Sequence, residues 1–201
     1  MTDRRDSYYI KAKRENFRSR AVYKLKEIED KFRIVREGDF VLEIGASPGG
    51  WTQYLTSIEG VRVVSVDIAP HDPVENSVSI RRDIFYTDIF DLISEGAGLI
   101  GGEKFNAVLS DAMSNTSGNH SRDHASSYLI CDRVMTISME FLSPGGNVLV
   151  KHFQGDMTKE LIDKWSPKFR GHKVTTPKAS RSGSREIYII FFNLMSKSLW
   201  I

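Results

Sequence analysis

Phe40-Val41-Leu42-Glu43-Ile44-Gly45-Ala46-Ser47-Pro48-Gly49-Gly50-Trp51 is the stretch that decides the fold. Its first five residues are β-prone and apolar except for Glu43, the pattern of a buried strand. Glycines at 45, 49 and 50 then let the backbone turn tightly and approach a ligand closely. Residues 50–57 read as a helix leaving that turn. Strand, glycine turn and helix open an α/β layer fold. The spacing is not the GxGxxG dinucleotide fingerprint, and Trp51 stands where a Walker-type phosphate loop needs Lys-Ser or Lys-Thr. A nucleotide-like ligand without a phosphate is therefore favoured.

Outward from this turn, further β-prone runs are expected at 62–67, 77–80, 105–111, 147–151, 174–176 and 186–192. Ser19 is expected to N-cap a helix with Val22, Leu25, Ile28 and Phe32 on one face. Ile130, Val134, Ile137 and Phe141 repeat at helical spacing before Ser143-Pro144-Gly145-Gly146 stops them, and 158–164 suggests another short helix. Residues 112–123, rich in Ser, Asn and Gly, read as a mobile loop. The alternation predicts a Rossmann-like α/β fold, a mostly parallel seven-stranded sheet with helices on both faces. Such sheets bind ligands beyond the carboxyl ends of their strands.

The chain has 201 residues, 40% hydrophobic and 27% charged, the balance of one globular domain and not of a disordered chain. A basic arm and helix over 1–36 precede a core over 37–201. No apolar run is long enough to span a bilayer. The single Cys131 forms no internal disulfide, so a cytoplasmic location is expected. The net charge of +2 conceals an asymmetry: residues 1–36 hold twelve Lys/Arg against six Asp/Glu, 37–163 hold eight against nineteen, and 164–185 hold seven against none. Two basic ends around an acidic centre suit a polyphosphate backbone, although a mixed solubilising surface also accounts for them.

The predicted strand ends carry the chemistry. Asp67 closes the second strand, where an acidic side chain takes the hydroxyls of a ribose; a surface turn at Ala69-Pro70 is the competing account. Asp83 follows the third strand, placed to accept from an adenine amine or else to cap a helix near Ile84. Carboxylates around an adenosine also suit a sulfonium cation, so the cofactor expected is S-adenosyl-L-methionine. Asp111 and Lys151 end apolar runs, and buried charges there require partners; in adjacent parallel strands the two can meet.

With these residues in hand, the chain resembles the FtsJ/RrmJ family of ribose 2′-O-methyltransferases over nearly its full length. The similarity is carried by Arg18-Ser19-Arg20-Ala21-Val22-Tyr23-Lys24, the turn Gly45 to Trp51, Asp67-Ile68-Ala69-Pro70, Arg82-Asp83, Ser110-Asp111, Val150-Lys151-His152-Phe153-Gln154-Gly155 and Ser180-Arg181-Ser182-Gly183-Ser184-Arg185-Glu186-Ile187-Tyr188. The resemblance implies that Lys24, Asp111, Lys151 and Glu186 form a catalytic tetrad with Lys151 as proton acceptor. It further implies that Gly45, Pro48, Gly49, Trp51, Asp67, Asp83 and Asp111 bind the cofactor. Two residues depart from the family pattern: Asp111-Ala112-Met113-Ser114 lacks the family's Pro, and Glu43 stands where Asp is usual.

By this analogy a ribose 2′-hydroxyl attacks the cofactor methyl as its proton leaves. Asp111 orients Lys151, Lys24 positions the nucleotide and opposes charge on Lys151 by repulsion, and Glu186 orients the cations. No metal is called for; His120, His124, Asp123 and Asp132 are the nearest thing to a metal set. Lys11, Lys13, Arg14, Arg18 and Arg20 are expected along RNA on one side, and Lys168, Arg170, Lys173, Lys178, Arg181 and Arg185 on the other. Tyr8, Tyr9 and Phe17 either stack on bases or pack the arm. The substrate implied is a uridine of large-subunit ribosomal RNA, naked or in a ribosomal particle, with no obligate protein partner. The alternatives are a tRNA ribose methyltransferase, a small-molecule methyltransferase on the same fold, and a non-catalytic RNA-binding assembly factor.

Overall fold

The computed structural model describes residues 7–101, 104–114, 116–181, 183–196 and 198. Ser182 of the Ser180–Tyr188 motif and residues 1–6 of the basic arm lie outside them. Seven strands form one sheet: β1 (Phe40–Ile44), β2 (Arg62–Asp67), β3 (Ser77–Arg81), β4 (Phe105–Ser110), β5 (Leu142–Phe153), β6 (Phe169–Thr175) and β7 (Glu186–Leu194). Their order is β3-β2-β1-β4-β5-β7-β6. β1 to β5 pair in parallel, and β7 runs antiparallel to both neighbours.

Side chains alternate across this sheet, so each face has its own core. Phe40, Leu42 and Ile44 of β1, Val64 and Val66 of β2, and Ile187, Ile189 and Phe191 of β7 face one way. They are covered by α4 (Ile89–Leu99), α5 (His120–Phe141) and α6 (Thr158–Trp165). Val41, Val63, Leu149, Tyr188 and Ile190 face the other way, under α2 (Val22–Phe32) and α3 (Gly50–Leu55). A short α1 (Ser7–Arg14) lies outside α2, joined through Ala12, Val22, Tyr23 and Ala179. Among the described residues no helix is long and apolar enough to cross a membrane.

Several boundaries differ from the sequence reading. α2 begins at Val22 with Ala21 at the cap position; the Ser19 hydroxyl instead accepts from the Ala21 N–H at 3.0 Å. No helix starts near Ile84: Asp83 accepts from the Phe85 N–H at 2.9 Å in a turn, and α4 begins at Ile89. The expected loop at 112–123 ends early, because Asn119 caps α5 by accepting from the Arg122 N–H at 3.2 Å. Asp123 organises what precedes the cap by accepting from the Ser117 and Gly118 N–H groups.

The sheet changes winding direction between β1 and β4. Beyond that point the chain leaves the two strands on opposite sides and opens a crevice at their carboxyl ends. There Gly45 (φ +82°) approaches Ala112 so closely that a Cβ on Gly45 would lie 2.4 Å from the Ala112 backbone.

Candidate active site

The glycine turn is braced from both sides. The Asp67 carboxylate accepts from the Ser47 N–H at 2.8 Å and from the Ala69 N–H at 2.7 Å. Arg18 crosses above Gly49 and donates to the Asp72 carbonyl at 2.5 Å and the Pro73 carbonyl at 3.1 Å. Its guanidinium, expected along RNA, thus ties the N-terminal segment to the β2–β3 connection. Gly45, Pro48, Gly49, Asp67, Asp83 and Asp111 all sit at the strand ends or in the turn that follows β1.

The Trp51 side chain is turned into the core, which leaves the backbone of this residue for the expected cofactor contact. It is 3% exposed, its indole N–H donates to the Ala21 carbonyl at 2.8 Å, and its ring packs 6.1 Å from that of Tyr188. The first turn of α3 points this side chain into the core, where it holds α3 against α2. Glu43 is buried too, taking a hydrogen bond from the Thr52 hydroxyl at 2.6 Å. Burial pushes its carboxyl up to about 8, the Thr52 hydrogen bond opposes this, and Asp111 and Asp67 add repulsion.

Register assembles the second cluster. Ser110 pairs with Val150, so Asp111 follows beside Lys151; Lys151 pairs across with Tyr188, and Glu186 lies two residues from Tyr188 on the same face. Lys24 reaches the same place from α2. Lys151 Nζ stands 3.1 Å from Asp111 Oδ1 and donates to the Asp111 carbonyl at 2.5 Å. Lys24 Nζ stands 2.6 Å from Glu186 Oε1. The four residues expected to converge therefore do so, but as two ion pairs. Each lysine carries its own carboxylate, so the expected repulsion between Lys24 and Lys151 is offset by two close counter-charges.

Tyr188 joins the two pairs, and the sequence reading missed it. Its hydroxyl donates to Asp111 Oδ1 at 2.6 Å. Burial, then the carboxylates of Asp111 and Glu186, holds this phenol well above its ordinary range. The available signal was its position two residues after Glu186, which returns it to the same face of the strand. Ser180 adds a hydrogen bond to Glu186 Oε1 at 3.1 Å.

Lys24, Lys151, Ser180 and Glu186 line a cleft of about 1010 Å³, with Asp111 and Tyr188 bonded behind them. Arg20, Arg181 and Arg185 also line it, as do Met113, Phe153 and Gln154. Burial and the nearby Arg181 lower the Arg20 guanidinium, with Glu186 opposing them. Two cations this close create a demand for an anion. Tyr8 alone of the three arm aromatics lines the cleft; Phe17 packs edge-on against Tyr23 at 6.3 Å, and Tyr9 is partly exposed. The residues weighed as a metal set are otherwise engaged. His124 bonds to the Phe153 carbonyl and the Met157 N–H, and Asp132 pairs with Lys164 at 2.7 Å. Among the described residues no group of three or more His, Cys, Asp or Glu is placed to hold a metal.

Known proteins are similar to this chain over most of its length. The model of the FtsJ-like methyltransferase family matches residues 17–194. A ribosomal RNA large subunit methyltransferase E from Picrophilus torridus is 55% identical over 191 residues, 95% of this chain and 98% of that protein. Its namesake from Thermoplasma acidophilum is 47% identical over 98% of this chain and 95% of the other. A crystal structure from Plasmodium falciparum, provisionally assigned as a ribosomal RNA methyltransferase, superposes with a TM-score of 0.79 at 26% identity, covering 90% of this chain and 100% of that one.

Proposed function

The chain belongs to the FtsJ-like methyltransferase family, and on that premise we propose that it methylates a ribose 2′-hydroxyl of RNA, on a uridine of the large ribosomal subunit, from S-adenosylmethionine. The observation that carries this reading is the pair of ion pairs, Lys24–Glu186 and Lys151–Asp111, at the floor of a cleft rimmed by arginines. A small-molecule enzyme on this fold has no need of that rim, and a passive RNA-binding protein has no need of that floor. In this reading residues 1–36 and 37–201 act as one unit, because Lys24 comes from the first and the other three site residues from the second.

The chemistry of the strand ends fits the cofactor. The groups offered there by β2 to β4 are the carboxyls of Asp67, Asp83 and Asp111, suited to ribose hydroxyls, an adenine amine and a cationic sulfonium, with Glu43 buried behind the turn. Gly45, Pro48, Gly49, Asp67, Asp83 and Asp111 are the residues to hold it. When bound, S-adenosylmethionine supplies an electrophilic methyl group. The protein must align the attacking oxygen and take away its proton. Lys151 Nζ, in its uncharged form, accepts that proton. Asp111 Oδ1 then faces the ammonium, and Tyr188 fixes the rotation of that carboxylate. Lys24, held by Glu186, positions the nucleotide, and Arg20, Arg181 and Arg185 take its phosphates.

The test is transfer of label from radioactive S-adenosylmethionine to tRNA, naked ribosomal RNA and undermethylated large subunits, with Lys151→Ala in parallel. Label on a ribose of large-subunit RNA, lost in Lys151→Ala while cofactor binding persists, is the expected result. Label only on tRNA replaces the substrate and keeps the chemistry. No label on any RNA, despite cofactor binding, overturns the reading.

A further inference from the structure

Behind the cleft lies a group of buried polar side chains that proton transfer does not use. His152, fully buried, bonds through Nδ1 to the Ser127 hydroxyl and through Nε2 to the Thr158 hydroxyl, each at 3.0 Å. Ser127 accepts from the Phe153 N–H at 2.9 Å, and Thr158 accepts from the Gly155 N–H at 2.9 Å. His124 accepts from the Met157 N–H at 2.9 Å through Nε2, so its proton lies on Nδ1, which donates to the Phe153 carbonyl at 2.7 Å. Gly155 rests on the His124 ring so closely that a Cβ there would meet it at 2.7 Å. The Gln154 N–H itself donates to the Arg185 carbonyl at 2.9 Å.

All these bonds fix the backbone on either side of one residue. Gln154, three positions after Lys151, lines the same cleft, and its exposed carboxamide has no hydrogen-bond partner among the described residues. A merely solvated glutamine needs no such anchorage. Rigid support behind a single free polar group is the signature of a preorganised contact. Phe153 and Met113, the latter 44% exposed, line the cleft with it and offer apolar surface for a planar ring. Arg185 is tied to this group through its own carbonyl, and the arginine side chains of the rim suit phosphates.

We propose that Gln154 reads the base of the target nucleotide through the hydrogen-bonding edge of a pyrimidine, with Phe153 and Met113 against its faces. A carboxamide offers a donor beside an acceptor, matching the adjacent acceptor and donor on that edge. Because the amide can turn over, this contact holds any base edge that sets a donor beside an acceptor, and by itself separates neither uracil from cytosine nor a pyrimidine from a purine. The proposal rests on the RNA ribose methylation reading above and adds to it a residue that positions the target base.

The experiment uses two short RNAs spanning the methylated site, identical except that the target position carries uridine in one and an abasic ribose with its 2′-hydroxyl in the other. Wild type is expected to prefer the uridine RNA. Gln154→Ala, and Gln154→Met of similar length without either hydrogen-bonding atom, are expected to lower kcat/KM on the uridine RNA about 30-fold, the worth of two neutral hydrogen bonds. Their rate on the abasic RNA and their S-adenosylmethionine affinity stay at the wild-type level, so the preference collapses. Variants that keep the preference, or that lose activity equally on both RNAs, overturn the role of Gln154 and leave the methylation reading standing. A wild type that methylates the two RNAs equally overturns the role of Gln154, and one that methylates neither of them nor undermethylated large subunits overturns both.

Discussion

Glu43 places a carboxyl in the middle of a buried strand with no cation beside it. Its value, pushed up to about 8 by burial, means that the folded protein binds a proton there which the unfolded chain releases near the ordinary glutamate range. The sign follows: this group's contribution to stability is full below the unfolded value and is lost as pH rises toward about 8. Glu43→Gln keeps an acceptor for the Thr52 hydroxyl and cannot ionise. Its stability relative to wild type is expected to rise from about pH 5 to about pH 9, reaching several kcal/mol at the alkaline end. Thermal melts across that range check it, and a difference independent of pH refutes it. At this scale the sequence was readable wherever a charge ended an apolar run, as at Asp111 and Lys151, because a buried charge demands an explanation. Tyr188 was not readable, because a tyrosine in a β-prone run is what an ordinary core offers; its hydroxyl acquires a task only once register sets it opposite Lys151. The burial of the Trp51 side chain was not readable, because its place in a motif does not reveal which way the first turn of a helix points it.

Among the elements, the β1–α3 turn has the least room for change. Gly45 combines a left-handed backbone with a contact that a methyl group would occupy at 2.4 Å. Gly45→Ala is expected to lower stability by about 2 kcal/mol or more and to weaken S-adenosylmethionine binding, read by denaturant titration and calorimetry. Unchanged values for both would show that the close approach to Ala112 relaxes freely. The turn was legible because its glycines interrupt a strong strand. α4 escaped notice for the opposite reason: Gly96 and Gly98 lower its helical propensity. The structure gives Gly96 a packing role, since a Cβ there would lie 3.0 Å from Ile80. The beginning of α5 was taken for loop because Ser, Asn and Gly compose both loops and caps; here Asn119 and Asp123 are using their side chains to start a helix.

Over the whole molecule the two basic ends meet. The Glu27 carboxylate on α2 accepts from the N–H groups of Lys178 and Ala179, and Arg20 donates to the Ala179 carbonyl. The connection carrying Arg181 and Arg185 is thereby docked beside Lys24. If these arginines contact phosphates, log affinity for RNA falls with log salt, and Arg181→Gln with Arg185→Gln reduces the slope by about 1 to 2 without altering S-adenosylmethionine binding. Filter binding at several salt concentrations measures this, and an unchanged slope removes both from the RNA path. Composition made the charge segregation visible, but only the fold shows that distant segments form one rim.

The strand order has a consequence for the protein's own synthesis. β7, which brings Glu186 and Tyr188, lies between β5 and β6 and is inserted into the sheet after both of its neighbours have been made. A polypeptide still attached to its ribosome therefore displays its first cationic segment early. On the proposed assignment of Lys24, Asp111, Lys151 and Glu186, it acquires a reactive centre only when residues 186–194 have left the exit tunnel and slotted into place. Until then such a chain is able to meet ribosomal RNA at close quarters and is chemically silent toward it.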